Sequence, residues 1–164
     1  MFRKMRRKKQ LLTEEETINI LKNSSAGVLG VIGDHGYPYT VPMSYVYSGN
    51  KLYMHSAKEG HKVDSIVKNS KVSFSVIDRD EVIQSTFTTH FRSVSIFGKA
   101  RILADSEEKM KALEALVGKY SPDYIQEGQL EIEKEWDNVS LIEIEIEHMT
   151  GKAAIEIING LENK

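Results

Sequence analysis

Tyr37-Pro38-Tyr39-Thr40-Val41-Pro42-Met43-Ser44-Tyr45-Val46-Tyr47-Ser48-Gly49-Asn50-Lys51-Leu52-Tyr53-Met54-His55 is the stretch that decides the fold. Aromatic and β-branched residues crowd it, which favours pleated, half-buried chain over helix. Ser48-Gly49-Asn50 is a turn cluster, so the chain comes back as a further strand over 51–55. Pro38 and Pro42 interrupt the strand expected over 37–47. Neither can donate to a ladder, so both belong on an edge, at a bulge, or where backbone is left free for a ligand. Just upstream, 26–32 is an apolar, β-branched-rich run closed by the turn cluster Gly33-Asp34-His35-Gly36. Together these segments form a meander of three strands.

Outward from the meander, Thr13-Glu14-Glu15-Glu16 is a capping box that predicts a helix over 14–23, with Ile18 and Leu21 on its apolar edge. Ser56-Ala57-Lys58-Glu59 has the same form and predicts a second helix running to about Lys68, buried through Val63, Ile66 and Val67. Val72, Phe74 and Val76 alternate with Ser73 and Ser75, a half-buried strand over 71–77. The polar, threonine-rich 78–89 reads as a long loop, and 91–103 as another long strand. Asp105-Ser106-Glu107-Glu108 opens a third helix whose apolar spacing is Met110, Leu113, Leu116 and Val117, with Gly118 as its stop. Pro122 suits the first turn of another short helix. Ile142, Ile144 and Ile146 alternate with glutamates in a half-exposed strand over 138–149, and the chain from Gly151 is weakly specified. About six strands follow one another with few helical crossovers, which excludes a doubly wound parallel sheet. The expected fold is mainly β (α+β), an antiparallel barrel with peripheral helices.

The 164 residues suit one domain, and 40% hydrophobic with 28% charged residues is ordinary globular composition. Collagen, a disordered tail and a membrane bundle are excluded, and no apolar run approaches the roughly 18–20 residues that span a bilayer. Cysteine is absent, so no disulfide framework, thiolate metal site or cysteine nucleophile exists. The basic start lacks the apolar segment of a signal peptide, so the expected location is cytoplasmic. The net charge of −2 hides an asymmetry: six of the 22 basic residues lie within the first ten positions. The remainder is strongly acidic and has no basic stripe, which disfavours nucleic acid as a partner. Residues 1–10 are expected to form a basic flexible arm, either solvated or touching RNA, an acidic partner or an anionic membrane surface.

The chemistry-bearing stretch is His55-Ser56-Ala57-Lys58-Glu59-Gly60-His61-Lys62, where a strand gives way to a helix. Unpaired amides at a helix start attract anions, phosphate above all. Ser56 adds a hydroxyl, Lys58 and Lys62 add charge, and Gly60 allows close approach. The alternative is a capped surface helix with scattered charges. Val41-Pro42-Met43-Ser44 offers backbone to a ligand's polar edge, unless it is simply an edge strand. Arg92 either clamps an anion or pairs with a neighbouring carboxylate. His55 and His61, six apart, lack the spacing of familiar zinc sites, so no metal is expected.

Taken in order, 36–45, 52–64, Lys71-Val72-Ser73-Phe74, Arg92-Ser93-Val94, Phe97-Gly98-Lys99-Ala100 and Thr150-Gly151-Lys152-Ala153 resemble the pyridoxamine 5′-phosphate oxidase-like flavoproteins, and within them the nitroimidazole-resistance (Nim) branch. The resemblance covers 11–155 and leaves 156–164 as a C-terminal tail. It implies an antiparallel split β-barrel, a homodimer, and two FMN sites at the dimer interface, with FAD as the alternative cofactor. It places the FMN phosphate at Ser56, Ala57, Lys58, Gly60, His61 and Lys62. The backbone of Val41, Pro42, Met43 and Ser44 would face the isoalloxazine, with Arg92 and Ser93 close by and His55 as a catalytic residue. The implied function is reduction of a small, nitroaromatic-like molecule through bound flavin. The alternative is a non-catalytic module binding flavin, haem or a nucleotide on the same barrel. The Arg-x-His pattern of true pyridoxamine phosphate oxidases is absent, which disfavours vitamin B6 oxidation.

Overall fold

The structure, a computed structural model, describes residues 1–160. Among them seven strands form one antiparallel sheet: β1 (Ala26–Ile32), β2 (Pro38–Ser44), β3 (Val46–Ser48), β4 (Lys51–Ala57), β5 (Lys71–Ile83), β6 (Thr88–Ile102) and β7 (Val139–Ala153). Helices α1 (Glu14–Asn23), α2 (His61–Lys68), α3 (Ser106–Tyr120), α4 (Ile125–Glu135) and α5 (Ile155–Ile158) surround it. The strand order is β2-β1-β5-β6-β7-β4-β3.

That order forces the shape. β2 and β3 are the opposite edges of the sheet, yet Tyr45 alone separates them in sequence. Two Cα steps span only about 7 Å, so the sheet must roll until its edges nearly meet. They do not pair, and the result is a split barrel. Tyr45 itself is fully buried, edge-on to Phe74 at 5.0 Å between ring centroids. Its N–H donates to the Tyr120 hydroxyl at 2.8 Å, and its carbonyl accepts from Lys119 Nζ at 2.9 Å. The last turn of α3 therefore fastens the seam.

Several expectations change here. The strand expected over 37–47 is two strands on opposite edges, which raises the count from about six to seven. The loop expected over 78–89 is instead the paired outer half of the β5–β6 hairpin, with a register shift between Ile77 and Arg79. Its polarity reflects exposure on both faces. The second capping box does not form: Ser56 and Ala57 still pair with Ser140 and Val139 of β7, and α2 starts at His61. Gly118 lies inside α3, and Pro122 precedes α4 by three residues. The first capping box is present as read, Thr13 and Glu16 bonding reciprocally. Within residues 1–10, Phe2 stacks on His148 at 4.8 Å and Gln10 is buried, and just after them Leu11 bridges to Lys152. Of the tail expected over 156–164, 156–158 lie in α5, which begins at Ile155, while 161–164 lie outside the described residues.

The prolines sit as the ladder requires. The Gly33 N–H donates to the Tyr37 carbonyl at 2.7 Å, so Tyr37, Tyr39, Val41 and Met43 point their backbone polar groups at β1. Pro38, Thr40, Pro42 and Ser44 point theirs away, along the open edge.

Strand alternation divides the apolar residues into two layers. Leu29, Leu52, Met54, Phe74, Val76, Val94, Ile142 and Ile144 fill the barrel. Leu103, Leu113, Leu116, Ile132 and Leu141 form a second cluster between the outside of the barrel and α3–α4.

Candidate functional site

The C-terminal half of β4 carries the candidate residues to the rim between these layers. Leu52, Met54 and Ser56 turn into the barrel, while Tyr53, His55 and Ala57 turn towards α3 and α4. Ser56 is 6% exposed, and its hydroxyl has no hydrogen-bond partner. A cavity of about 770 Å³ opens beside it, bordered by Ser44, His55, Ser56 and Ala57 on one side and by α3 and α4 on the other.

After β4 the chain turns through Lys58 and Glu59 to Gly60, which has φ +131° and ψ 167°. Only glycine adopts that conformation without strain, so Gly60 is present for the turn itself. It is also the N-cap of α2, and no side chain caps the helix. The first amides of α2 are left for water or an anion. Among the described residues no ion pair holds Lys58 or Lys62. Lys109 of α3 joins this corner: it reaches the Trp136 carbonyl and lies 4.3 Å above the Trp136 ring. Burial pulls its ammonium below the ordinary lysine range, and the like charge of Lys58 adds to the effect. Two unneutralised cations beside open amides form an anion-seeking corner. Sequence reading missed Lys109, because α3 shows only its apolar stripe; strand pairing across 57 and 139 brings it into place.

His61 has a different task from the one expected. Its Nε2 accepts from the Asp34 N–H at 3.2 Å, and its ring stacks on Tyr39 at 4.3 Å. Lys68 reaches the same Asp34 at 3.2 Å and holds its carboxyl below the usual range, with His61 contributing. The His61 side chain thus pins α2 to the β1–β2 turn, and only its backbone amide remains for an anion.

Arg92 and Ser93 are not brought to this corner. Arg92 pairs with Ala153 and His55 with Leu141, twelve residues apart on β7. That separation is roughly 40 Å of extended strand. Arg92 Nε bonds Asp78 and borders a different cavity, with Leu12, Glu16 and Ile157. Ser93 lies opposite Ile77, on the outer face of the sheet. One chain therefore supplies the β2 edge, the end of β4 and the β4–α2 turn, without the arginine. Among the described residues no metal-binding cluster exists, and no helix is long and apolar enough to cross a membrane.

The chain thus presents a split barrel with an uncapped helix start beside an apolar cavity. The chain belongs to the pyridoxamine 5′-phosphate oxidase family, whose family model matches residues 13–153. Its fold is similar to that of a conserved hypothetical protein of Mycobacterium tuberculosis, with TM-score 0.82, 19% identity, and coverage of 98% of this chain and 96% of that one. A candidate 5-nitroimidazole antibiotic resistance protein of Bacteroides thetaiotaomicron VPI-5482 matches with TM-score 0.69 and 24% identity, over 87% of this chain and 86% of that one. A FAD-binding protein of Mesorhizobium loti matches with TM-score 0.64 and 25% identity, over 88% and 97%.

Proposed function

We propose that this chain is a flavin-dependent oxidoreductase that holds FMN at the interface of a homodimer and reduces a small molecule. The observation that carries this reading is the corner at Gly60, where uncapped amides and the unpaired Lys58 and Lys62 adjoin a cavity bordered by His55. The donor set fits a terminal phosphate. The likeness to a FAD-binding protein supports a flavin in particular. FMN is favoured because its phosphate ends the molecule, matching a turn with one anion seat.

The open edge of β2 presents the amides of Thr40 and Ser44 and the carbonyls of Pro38 and Pro42 to the polar rim of the ring. His55 faces the cavity and holds or gives a proton at its imidazole as charge reaches the substrate. When bound, the flavin supplies hydride or electron transfer. Arg92 and Ser93 reach the site from the second copy, since one chain keeps them strands away from His55. The outer face of β1 and β5 supports that pairing: Val28, Ile32 and Ile77 are exposed among small Ser73, Ser75 and Gly30. Ser93 lies on this face beside Ile77.

Mixed dimers test the arrangement. Lys62→Ala and Arg92→Ala homodimers should each lose FMN in a titration followed by flavin absorbance. Remixed after unfolding in equal amounts, they should regain about one site in four, because half the dimers then carry one intact site. No recovery, or no loss in either parent, overturns the shared site. Bound flavin that is never reoxidised by any small acceptor after reduction by a nicotinamide donor overturns the oxidoreductase.

A further inference from the structure

The cavity between β4 and α3–α4 carries more information than its anion corner. Its floor is apolar, formed by Leu113, Leu116, Ile132 and Val139, and Tyr120 and Tyr124 stand at its walls. Glu127, Glu131 and Glu135, spaced by four along α4, all border it. Residues at that spacing share one helix face, so a row of carboxylates runs beside an apolar chamber. Their neutralisation is incomplete. Lys134 is 3.1 Å from Glu131 and 3.7 Å from Glu135, and Asn138 donates to Glu135. Glu127 has no ion pair among the described residues. Three carboxylates thus share one cation.

The helix alone does not account for this row. A carboxylate at Glu127, in the first turn, is favoured by the helix dipole, but one at Glu135, in the last turn, is disfavoured. Two further cations flank the chamber. Lys119 Nζ binds the carbonyls of Ser24 and Tyr45 and lies 5.4 Å over the Tyr120 ring, and Lys109 bonds the Trp136 carbonyl just past the C-terminal end of α4. The chamber is therefore polarised, basic at the proposed phosphate corner and acidic at the Glu127–Tyr124 end.

We infer that this chamber binds a small cationic aromatic molecule, its ring on the apolar floor and against Tyr124, its positive charge towards Glu127 and Glu131, away from the Lys119 ammonium over Tyr120. Apolar burial supplies affinity, aromatic faces favour a cation, and the carboxylate row selects its sign. A phosphorylated or carboxylated guest of the same size meets repulsion at that end. The inference rests on the flavin reading only for the guest's fate as substrate; binding of the cation itself does not need flavin.

The test compares two fluorescent probes of similar apolar size, cationic thioflavin T and anionic anilinonaphthalene sulfonate, on the full chain before and after saturation with FMN. Thioflavin T is expected to bind saturably and to be lost in Ser121→Trp, which adds an indole to the chamber's lining. Glu127→Gln is expected to weaken it about fivefold, an effect that shrinks with added salt. Glu127→Lys should weaken it further, and thermal melts of each variant should match the parent. Equal binding of the anionic probe in a Ser121→Trp-sensitive manner, no change with Glu127→Gln or Glu127→Lys, or no saturable thioflavin T binding each overturns the inference. Failure of FMN to bind while thioflavin T behaves as expected would remove the flavin reading and leave this one in place.

Discussion

The two apolar layers of this protein are built from the same strands but filled differently. Inside the barrel, Leu29, Leu52, Met54, Val76, Val94, Ile142 and Ile144 are closed off from water. Outside it, Leu141 is equally closed, but Leu103, Leu113, Leu116 and Ile132 are each still 5–8% exposed, and the 770 Å³ cavity opens beside Leu113, Leu116 and Ile132. The outer layer also contains a charge network that the barrel lacks. Glu143, 4% exposed, accepts from Arg101 at 2.8 Å and Lys51 at 3.0 Å, and Arg101 continues to Glu108 of α3. The barrel is a close-packed scaffold; the α3–α4 layer is a looser, charged lining with room for ligands.

The largest effect expected from this difference is in the barrel. Phe74→Ala should lower stability by about 3–5 kcal/mol in urea unfolding, because Phe74 is buried against Tyr45 at the seam. A loss under about 1 kcal/mol would show that the barrel is not the scaffold. Next comes Glu143→Ala, expected to cost about 2 kcal/mol, less than a fully buried pair because Arg101 and Lys51 reach water.

The same carboxylate gives the outer layer a pH dependence. Burial opposes ionisation of Glu143, but the hydrogen bonds from Arg101 and Lys51 outweigh it and hold its carboxyl below the usual range. A depressed folded value means its contribution is complete above the ordinary glutamate range and is lost as pH falls through the lowered value. Trp136, the one tryptophan of the chain, packs against the outer cluster and reports on it. Acid titration should change Trp136 fluorescence before the far-ultraviolet strand signal, and Glu143→Gln should merge the two transitions. The smallest expected loss is Leu116→Ala, about 1–2 kcal/mol, since its neighbours already border open space. A loss equal to that of Phe74→Ala would erase the distinction between the layers.

Much of the barrel was legible in local pattern, and the failures share one cause. Val72, Phe74 and Val76 alternate because one sheet face is buried, and that signal survives in any context. The Thr13–Glu16 cap is local, and it forms. The similar Ser56–Glu59 pattern fails because β7 claims Ser56 and Ala57 for the sheet from more than eighty residues away. Tyr45 looks like one residue of an unbroken strand; that it crosses from one edge to the other depends on the rolled sheet. For the site, Lys58, Gly60 and Lys62 were singled out from a helix start expected at Ser56–Glu59, and the structure moves that start to His61. Their neighbour Lys109, the carboxylate row of α4 and the separation of Arg92 from His55 arise only from tertiary pairing.

The position of β7 also bears on how the chain is made. Among the described residues it is the last strand in sequence, yet it lies between β6 and β4. A nascent chain emerging from the ribosome can pair β1 with β2 and β5 with β6 as local hairpins, but until Val139 appears β4 and β6 each expose a bare ladder edge. Such edges invite pairing with other chains. Synthesis of the segment between β6 and β7 is thus an interval of aggregation risk, and arrival of β7 ends it.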